Sequence, residues 1–200
     1  MRRIGIMGGT FNPIHMGHLL LADWAREEAV LDEIWLIPSG ISYMKKSQEV
    51  ASAEDRLRMT KLAAEENEHF RCLDLELKRD GYTYSYETLE ELNRTYPEDE
   101  FYFILGADCL FTLEKWKFPE RILSCCTLIA AVRDETSLEE LSEKKEELER
   151  RFGGRILLMS FARLSLSSTE IRQRIREGRS VRYMTPDNVL SYMEEKGLYR

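Results

Sequence analysis

Strand-length apolar runs alternate with helical periods along this chain. Arg3 to Met7 reads as a first strand, ending in Gly8-Gly9, and His15 to Val30 predicts a helix with Leu19, Ala22 and Ala29 among its apolar positions. Glu33 to Ile37 predicts a second strand, stopped by Pro38. Residues 39–51 are polar and read as a loop. Ser52 is the N-cap expected for a helix through about Glu66, with Asp55 in its first turn. Phe70 to Leu77 reads as a strand and Arg79-Asp80-Gly81 as a turn. Ser85 to Tyr96 reads as a short helix closed by Pro97. The run Glu100 to Leu105 is a strongly apolar strand ending at Gly106, residues 109–114 look helical, and Cys125 to Val132 is another strand. Leu138 to Arg151 predicts an exposed helix and Arg155 to Met159 a last strand. Two helices close the chain, near Ser168–Glu177 and Pro186–Lys196.

This alternation predicts an α/β fold, a doubly wound parallel sheet with helices on both faces. Ligands of such sheets sit beyond the carboxyl ends of the strands, so the residues that follow the strands carry the functional reading. A length of 200 residues fits one domain of ordinary size, and a 43% hydrophobic content argues against disorder.

Charge narrows the partners. With 29 Lys and Arg against 36 Asp and Glu, the net charge of −7 argues against nucleic acid bound by overall charge. An anionic substrate then requires a locally basic site. No apolar run approaches the roughly 20 residues of a membrane span, and the N-terminus lacks a signal peptide's pattern. The four cysteines show no CxxC spacing and read as free thiols of a cytoplasmic protein. The oligomeric state stays open, a homo-oligomer included.

The chemistry begins after the first strand. Gly8-Gly9-Thr10-Phe11 gives the backbone a tight turn that can approach a ligand, and the next helix starts near His15. Its N–H groups and positive dipole end point into that turn. His15 and His18, three apart, share one face of the first helical turn. A phosphate whose charge changes during reaction suits this arrangement. A zinc site is disfavoured, because HxxH supplies two ligands and His69 lies far off in sequence. Neither a Walker A loop nor a dinucleotide fingerprint is present. Near the C-terminus, Ser167-Ser168-Thr169-Glu170-Ile171-Arg172 puts hydroxyls at a helix start and an arginine one turn inside, which suits phosphate or serves as a plain cap. Trp116 reads either as a packed residue or as a π face for a ring ligand, and Asp108 either as a cap or as a group for ribose or Mg²⁺.

The segment from Gly8 to His18 closely resembles the GGTFDPxHxGH signature of the nucleotidyltransferases, and residues 167–172 resemble their SSTxIR segment. Three further blocks resemble nicotinate-nucleotide adenylyltransferases along nearly the whole chain: Gly81 to Thr88, Gly106-Ala107-Asp108 with Lys115-Trp116, and Pro186-Asp187 through Gly197-Leu198-Tyr199. The resemblance implies a single Rossmann-like domain over residues 1–200, with the helical part from about 165 completing an ATP site. It implies transfer of AMP from ATP to nicotinate mononucleotide, with Mg²⁺ carried by ATP and no dedicated metal site. His15, His18 and Arg172 would be catalytic. Gly8, Gly9, Thr10, Phe11, Gly106, Asp108, Ser168 and Thr169 would bind ATP. Lys45, Tyr84, Ser85 and Trp116 would bind the acceptor, with Trp116 stacked on its ring.

Two departures stand out. Asn12 replaces the signature's Asp, and Pro38 to Lys46 lacks the family's paired prolines and histidine, keeping Lys45. The altered loop leaves open an adenylyl or cytidylyl transferase acting on another phosphate, and a non-catalytic nucleotide binder is the alternative from another class.

Overall fold

The structure, a computed structural model, describes residues 1–42, 50–132, 137–161 and 165–200. Among the described residues the strands are β1 (Arg3–Gly9), β2 (Glu33–Pro38), β3 (Ile41–Ser42), β4 (Phe70–Cys72), β5 (Tyr82–Thr83), β6 (Glu100–Gly106), β7 (Thr127–Val132) and β8 (Arg155–Ser160). The α-helices among them are α1 (Met16–Glu28), α2 (Ala53–Ala64), α3 (Ser85–Thr95), α4 (Pro119–Cys125), α5 (Leu138–Phe152), α6 (Ser168–Arg176) and α7 (Asp187–Lys196). Six strands form one sheet in the order β4-β2-β1-β6-β7-β8, and β3 pairs with β5. The pairs β1–β6, β6–β7, β7–β8 and β3–β5 are parallel. The strand order reverses between β1 and β6, as expected of a doubly wound sheet.

Burial follows from that order. The inner strands β1, β6 and β7 each carry an unbroken buried run, whereas the edge strand β8 is exposed at both ends. Gly5, in the middle of β1, is closely packed: a Cβ there would lie 2.5 Å from a methyl of Ile34 and 2.9 Å from one of Leu31, so those side chains would have to shift. The chain divides into two compact units interleaved in sequence. One comprises Met1–Met7, Leu21–Ile34 and Tyr84–Arg163; the other comprises Gly8–Leu20, Trp35–Thr83 and Leu164–Arg200. Among the described residues no helix is long and apolar enough to cross a membrane.

Several expected boundaries move, each for a local reason. β1 continues through Gly8-Gly9, whose Gly9 carbonyl accepts the Ser39 N–H at 2.7 Å. α1 starts at Met16; His15 is its cap, with a carbonyl that accepts from the N–H groups of His18 (2.9 Å) and Leu19 (3.3 Å). It ends at Glu28, before Val30 turns left-handed (φ 51°). The expected loop after Pro38 contains β3. Extended structure over residues 70–77 stops at Cys72, because Leu77 N–H bonds Asp74 O and a 3₁₀ turn forms at Glu76–Lys78. Residues 107–115 form two 3₁₀ turns, Ala107–Phe111 and Leu113–Lys115, capped by Gly106 and Thr112, so Asp108 is not a cap. Cys125 ends α4, a helix the apolar run concealed, and the strand begins only at Thr127. Pro119, at the first helical position, is the signal that marks α4.

Gly154 provides a test of the packing. It holds φ +80°, and a Cβ would lie 2.5 Å from the Leu123 carbonyl oxygen. Gly178 also has a positive φ (+66°) but faces open space. Gly154→Ala is expected to destabilise by about 2 kcal/mol or more, and Gly178→Ala by about 1 kcal/mol. Chemical denaturation measures both; equal losses would contradict the backbone clash.

Candidate active site

The residues from Thr10 to Met16 are held by hydrogen bonds to distant parts of the sequence. Arg56 Nη1 donates to Thr10 O at 2.9 Å, and Arg172 Nη1 donates to Asn12 O at 2.9 Å. Ser168 Oγ donates to Pro13 O at 2.8 Å, and Thr185 Oγ1 donates to Ile14 O at 3.0 Å. The Met16 N–H donates to Met184 O at 2.9 Å. Four carbonyl oxygens, the groups that would repel a phosphate, are thereby engaged. Phe11 adopts φ 48° at the bend, a left-handed conformation costly for a residue with a Cβ. Its buried ring also packs on Gly9: a Cβ there would lie 2.7 Å from that ring.

The two imidazoles lie together, as their spacing predicts. Their rings stack with centroids 3.7 Å apart and planes at 26°. His18 also meets the Phe11 ring edge-on at 5.1 Å. The His15 N–H donates to His18 Nδ1 at 3.3 Å. An Nδ1 that accepts leaves the proton of a neutral His18 on Nε2. His15 is buried and His18 half-buried.

Asn12 is also buried. Its Oδ1 accepts from the Ala51 N–H at 3.0 Å and from the Tyr199 hydroxyl at 2.8 Å. Burial pushes the Tyr199 hydroxyl's pKa upward, against the opposing pull of Arg172, so this hydroxyl stays protonated and donates.

Ser167 caps α6 by accepting from the Glu170 N–H at 3.1 Å. The capping reading of the 167–172 segment and its link to the histidine turn thus hold together. Arg172 Nη2 donates to Thr169 Oγ1 at 3.4 Å, while its buried Nε has no hydrogen-bond partner among the described residues.

The other unit carries the residues that follow β6. Asp108 is exposed and Gly106 half-buried, with nothing within 4 Å of a Cβ built on that glycine. Trp116 is half-buried and meets Phe103 edge-to-face at 6.4 Å, and its buried Nε1 has no hydrogen-bond partner among the described residues. Tyr84 caps α3, and Ser85 is the first helical residue. Lys117 Nζ stands 4.0 Å from the centre of the Tyr84 ring, so the Trp116 segment and the start of α3 meet. Lys45 and its neighbour Lys46 lie outside the described residues. Among the described residues no three His, Cys, Asp or Glu side chains gather as a metal site.

Sequence reasoning missed Arg56, Thr185 and the hydroxyl of Tyr199. A signal for Arg56 was present: it shares the buried face of α2 with Met59, Thr60, Ala63 and Ala64, at helical spacing. A charged residue on such a face needs a polar purpose.

Residues 6–174 match the family model described as Cytidylyltransferase-like. A probable nicotinate-nucleotide adenylyltransferase of Lachnoclostridium phytofermentans is 43% identical over 199 residues, covering 100% of both chains. One from Desulfitobacterium hafniense (strain DSM 10664 / DCB-2) is 40% identical, covering 100% of this chain and 96% of its own. In fold, the chain is similar to Plasmodium falciparum nicotinic acid mononucleotide adenylyltransferase complexed with NaAD. The TM-score is 0.81 at 21% identity, over 100% of this chain and 98% of that one. With full-length identity of this order on top of the histidine turn and the serine–arginine segment, the chain belongs to the nicotinate-nucleotide adenylyltransferases of the cytidylyltransferase-like family.

Proposed function

We propose that this protein transfers AMP from ATP to nicotinate mononucleotide, giving nicotinate adenine dinucleotide and pyrophosphate. The observation that carries the reading is the stacked His15–His18 pair at the start of α1, beside a turn whose carbonyls are tied back. That is a site for the phosphate of a nucleotide, and full-length relatives named for this reaction supply the acceptor.

In this reaction an acceptor phosphate oxygen attacks the α-phosphorus in line. A new P–O bond forms, the bond to the bridging oxygen breaks, and pyrophosphate leaves with the electron pair. The nucleophile is already anionic, so neither a general base nor an enzyme nucleophile is required. Positioning and charge stabilisation supply the catalysis. His18 Nε2–H and His15 would stabilise charge on the α-phosphate and the bridging oxygen. Arg172 and Thr169, with the backbone N–H of Ser168 in the first turn of α6, would hold the β- and γ-phosphates, while the Ser168 hydroxyl stays on Pro13 O. Gly8, Gly9, Thr10 and Phe11 would line the nucleotide site with backbone, and residues from about 165 to 200 would complete it. Asp108, with Gly106 beside it, would meet the ribose.

For the acceptor, Trp116 would stack on the pyridine ring and backbone groups of Tyr84 and Ser85 would take its carboxylate. N–H groups in the first turn of a helix suit that task. Lys45 would meet the acceptor's phosphate as a point charge. Mg²⁺ would supply charge neutralisation on the triphosphate and would enter with ATP, held by phosphate and water.

Pyrophosphate release on mixing ATP with nicotinate mononucleotide is the direct test. Release only with a different phosphate acceptor would replace the acceptor assignment; no release with any acceptor would favour a non-catalytic binder.

His18→Ala is expected to lower kcat by about 10²–10³-fold while changing the ATP dissociation constant little, by analogy with loss of an oxyanion donor. Steady-state rates and ATP titration check this, and near-normal turnover would remove the catalytic role.

Trp116→Ala should raise the KM for the mononucleotide about 3- to 10-fold, corresponding to roughly 0.5–1.5 kcal/mol of aromatic contact, and leave that for ATP nearly unchanged. A rise for ATP alone, or an equal rise for both, would contradict ring stacking.

A further inference from the structure

Arg56 lies on the inward face of α2 and is only 5% exposed. One of its nitrogens, Nη1, donates both to Thr10 O at 2.9 Å and to Ser39 O at 2.7 Å. Its Nε is buried and has no hydrogen-bond partner among the described residues. No carboxylate among the described residues comes within ion-pair distance of it; Glu76 acts only from farther away. A buried guanidinium normally carries a paired anion, because a buried charge without one is costly. Among the described residues its hydrogen-bond partners are these two carbonyl oxygens, and both belong to backbone that leads to proposed substrate-binding residues.

The two carbonyls identify what is joined. Thr10 is in the turn that precedes His15. Ser39 is the first residue after β2 and opens the sequence segment that contains Lys45. Ser39 touches the turn a second time, through its N–H on Gly9 O at 2.7 Å. The next residues are fixed as well: a Cβ on Gly40 would lie 2.5 Å from Glu76 O, and Ile41 and Ser42 pair with Tyr82 and Thr83. The start of the acceptor segment is therefore clamped onto the phosphate turn, and Arg56 is the side chain at the clamp.

We propose that Arg56 is a positioning residue that locks the ATP-binding turn to the start of the acceptor segment, so that two substrates held by different stretches of chain meet in register. It acts through the Thr10 and Ser39 carbonyls, and its charge adds positive potential behind the turn. The inference rests on the proposed reaction for its kinetic readout, but its binding readout needs ATP alone. Misplacing reacting groups by about 1 Å can cost about 10²-fold in rate, so a lost clamp should appear in kcat.

The experiment compares Arg56→Met, which removes the donors and the charge, with Arg56→Lys, which keeps a charged donor. Each is measured well below its melting temperature, with thermal unfolding recorded alongside. In Arg56→Met, kcat is expected to fall about 10- to 100-fold and the ATP dissociation constant to rise several-fold. Arg56→Lys should recover part of both losses. If Arg56→Met does not fold, Arg56→Gln takes its place, keeping a donor without the charge. A folded variant with unchanged kcat and unchanged ATP affinity would overturn the proposal, as would a loss fully explained by the unfolded fraction. Should the wild-type protein bind ATP yet release no pyrophosphate with nicotinate mononucleotide, the reaction assignment fails, and the Arg56 dependence of ATP binding still decides this inference.

Discussion

An anion cannot settle against backbone whose carbonyl oxygens point at it, and that constraint organises the histidine turn. Thr10, Asn12, Pro13 and Ile14 each present a carbonyl that a remote side chain engages: Arg56, Arg172, Ser168 and Thr185 respectively. Two of the four donors are cations. The same bonds that neutralise the carbonyls therefore place positive charge behind the turn of an acidic protein. They also explain the sequence order, since the donors come from α2, from α6 and from the stretch before α7. The turn can take this shape only when segments some 40 to 170 residues apart in the chain have assembled.

Asn12 fits this scheme. Both donors to its Oδ1, the Ala51 N–H and the Tyr199 hydroxyl, require an acceptor oxygen and nothing more. An amide supplies that oxygen as a carboxylate would. The amide carries no negative charge and keeps both hydrogen bonds. Tyr199, near the end of the chain, is in this way part of the turn's support.

Much of the fold was legible in the sequence because its strands are long, buried and bounded by turn residues. β1, β6 and β7 read as apolar runs since both faces of a central parallel strand are covered. The two-residue strands β3 and β5 were not legible, because their pairing is set by a tertiary partner and not by any period. α4 was hidden because its seven residues are too few to show a helical repeat beside a strongly apolar strand. The histidine pair was legible because a spacing of three on a helix start fixes its geometry. The packing of Gly9 against the ring of the left-handed Phe11, two residues away, was not legible, because it depends on a local bend that no period announces. Arg56 left only an indirect trace, a charge on an apolar stripe, since the carbonyls it holds are distant in sequence.

Amide chemical shifts followed during ATP titration test the central claim most directly, because they report where the anion settles residue by residue. The account predicts the largest changes at Gly8 to Phe11, at His15 to His18 and at the start of α6, with little change in α5. Changes concentrated elsewhere, with residues 8–18 unmoved at saturating ATP, would contradict it.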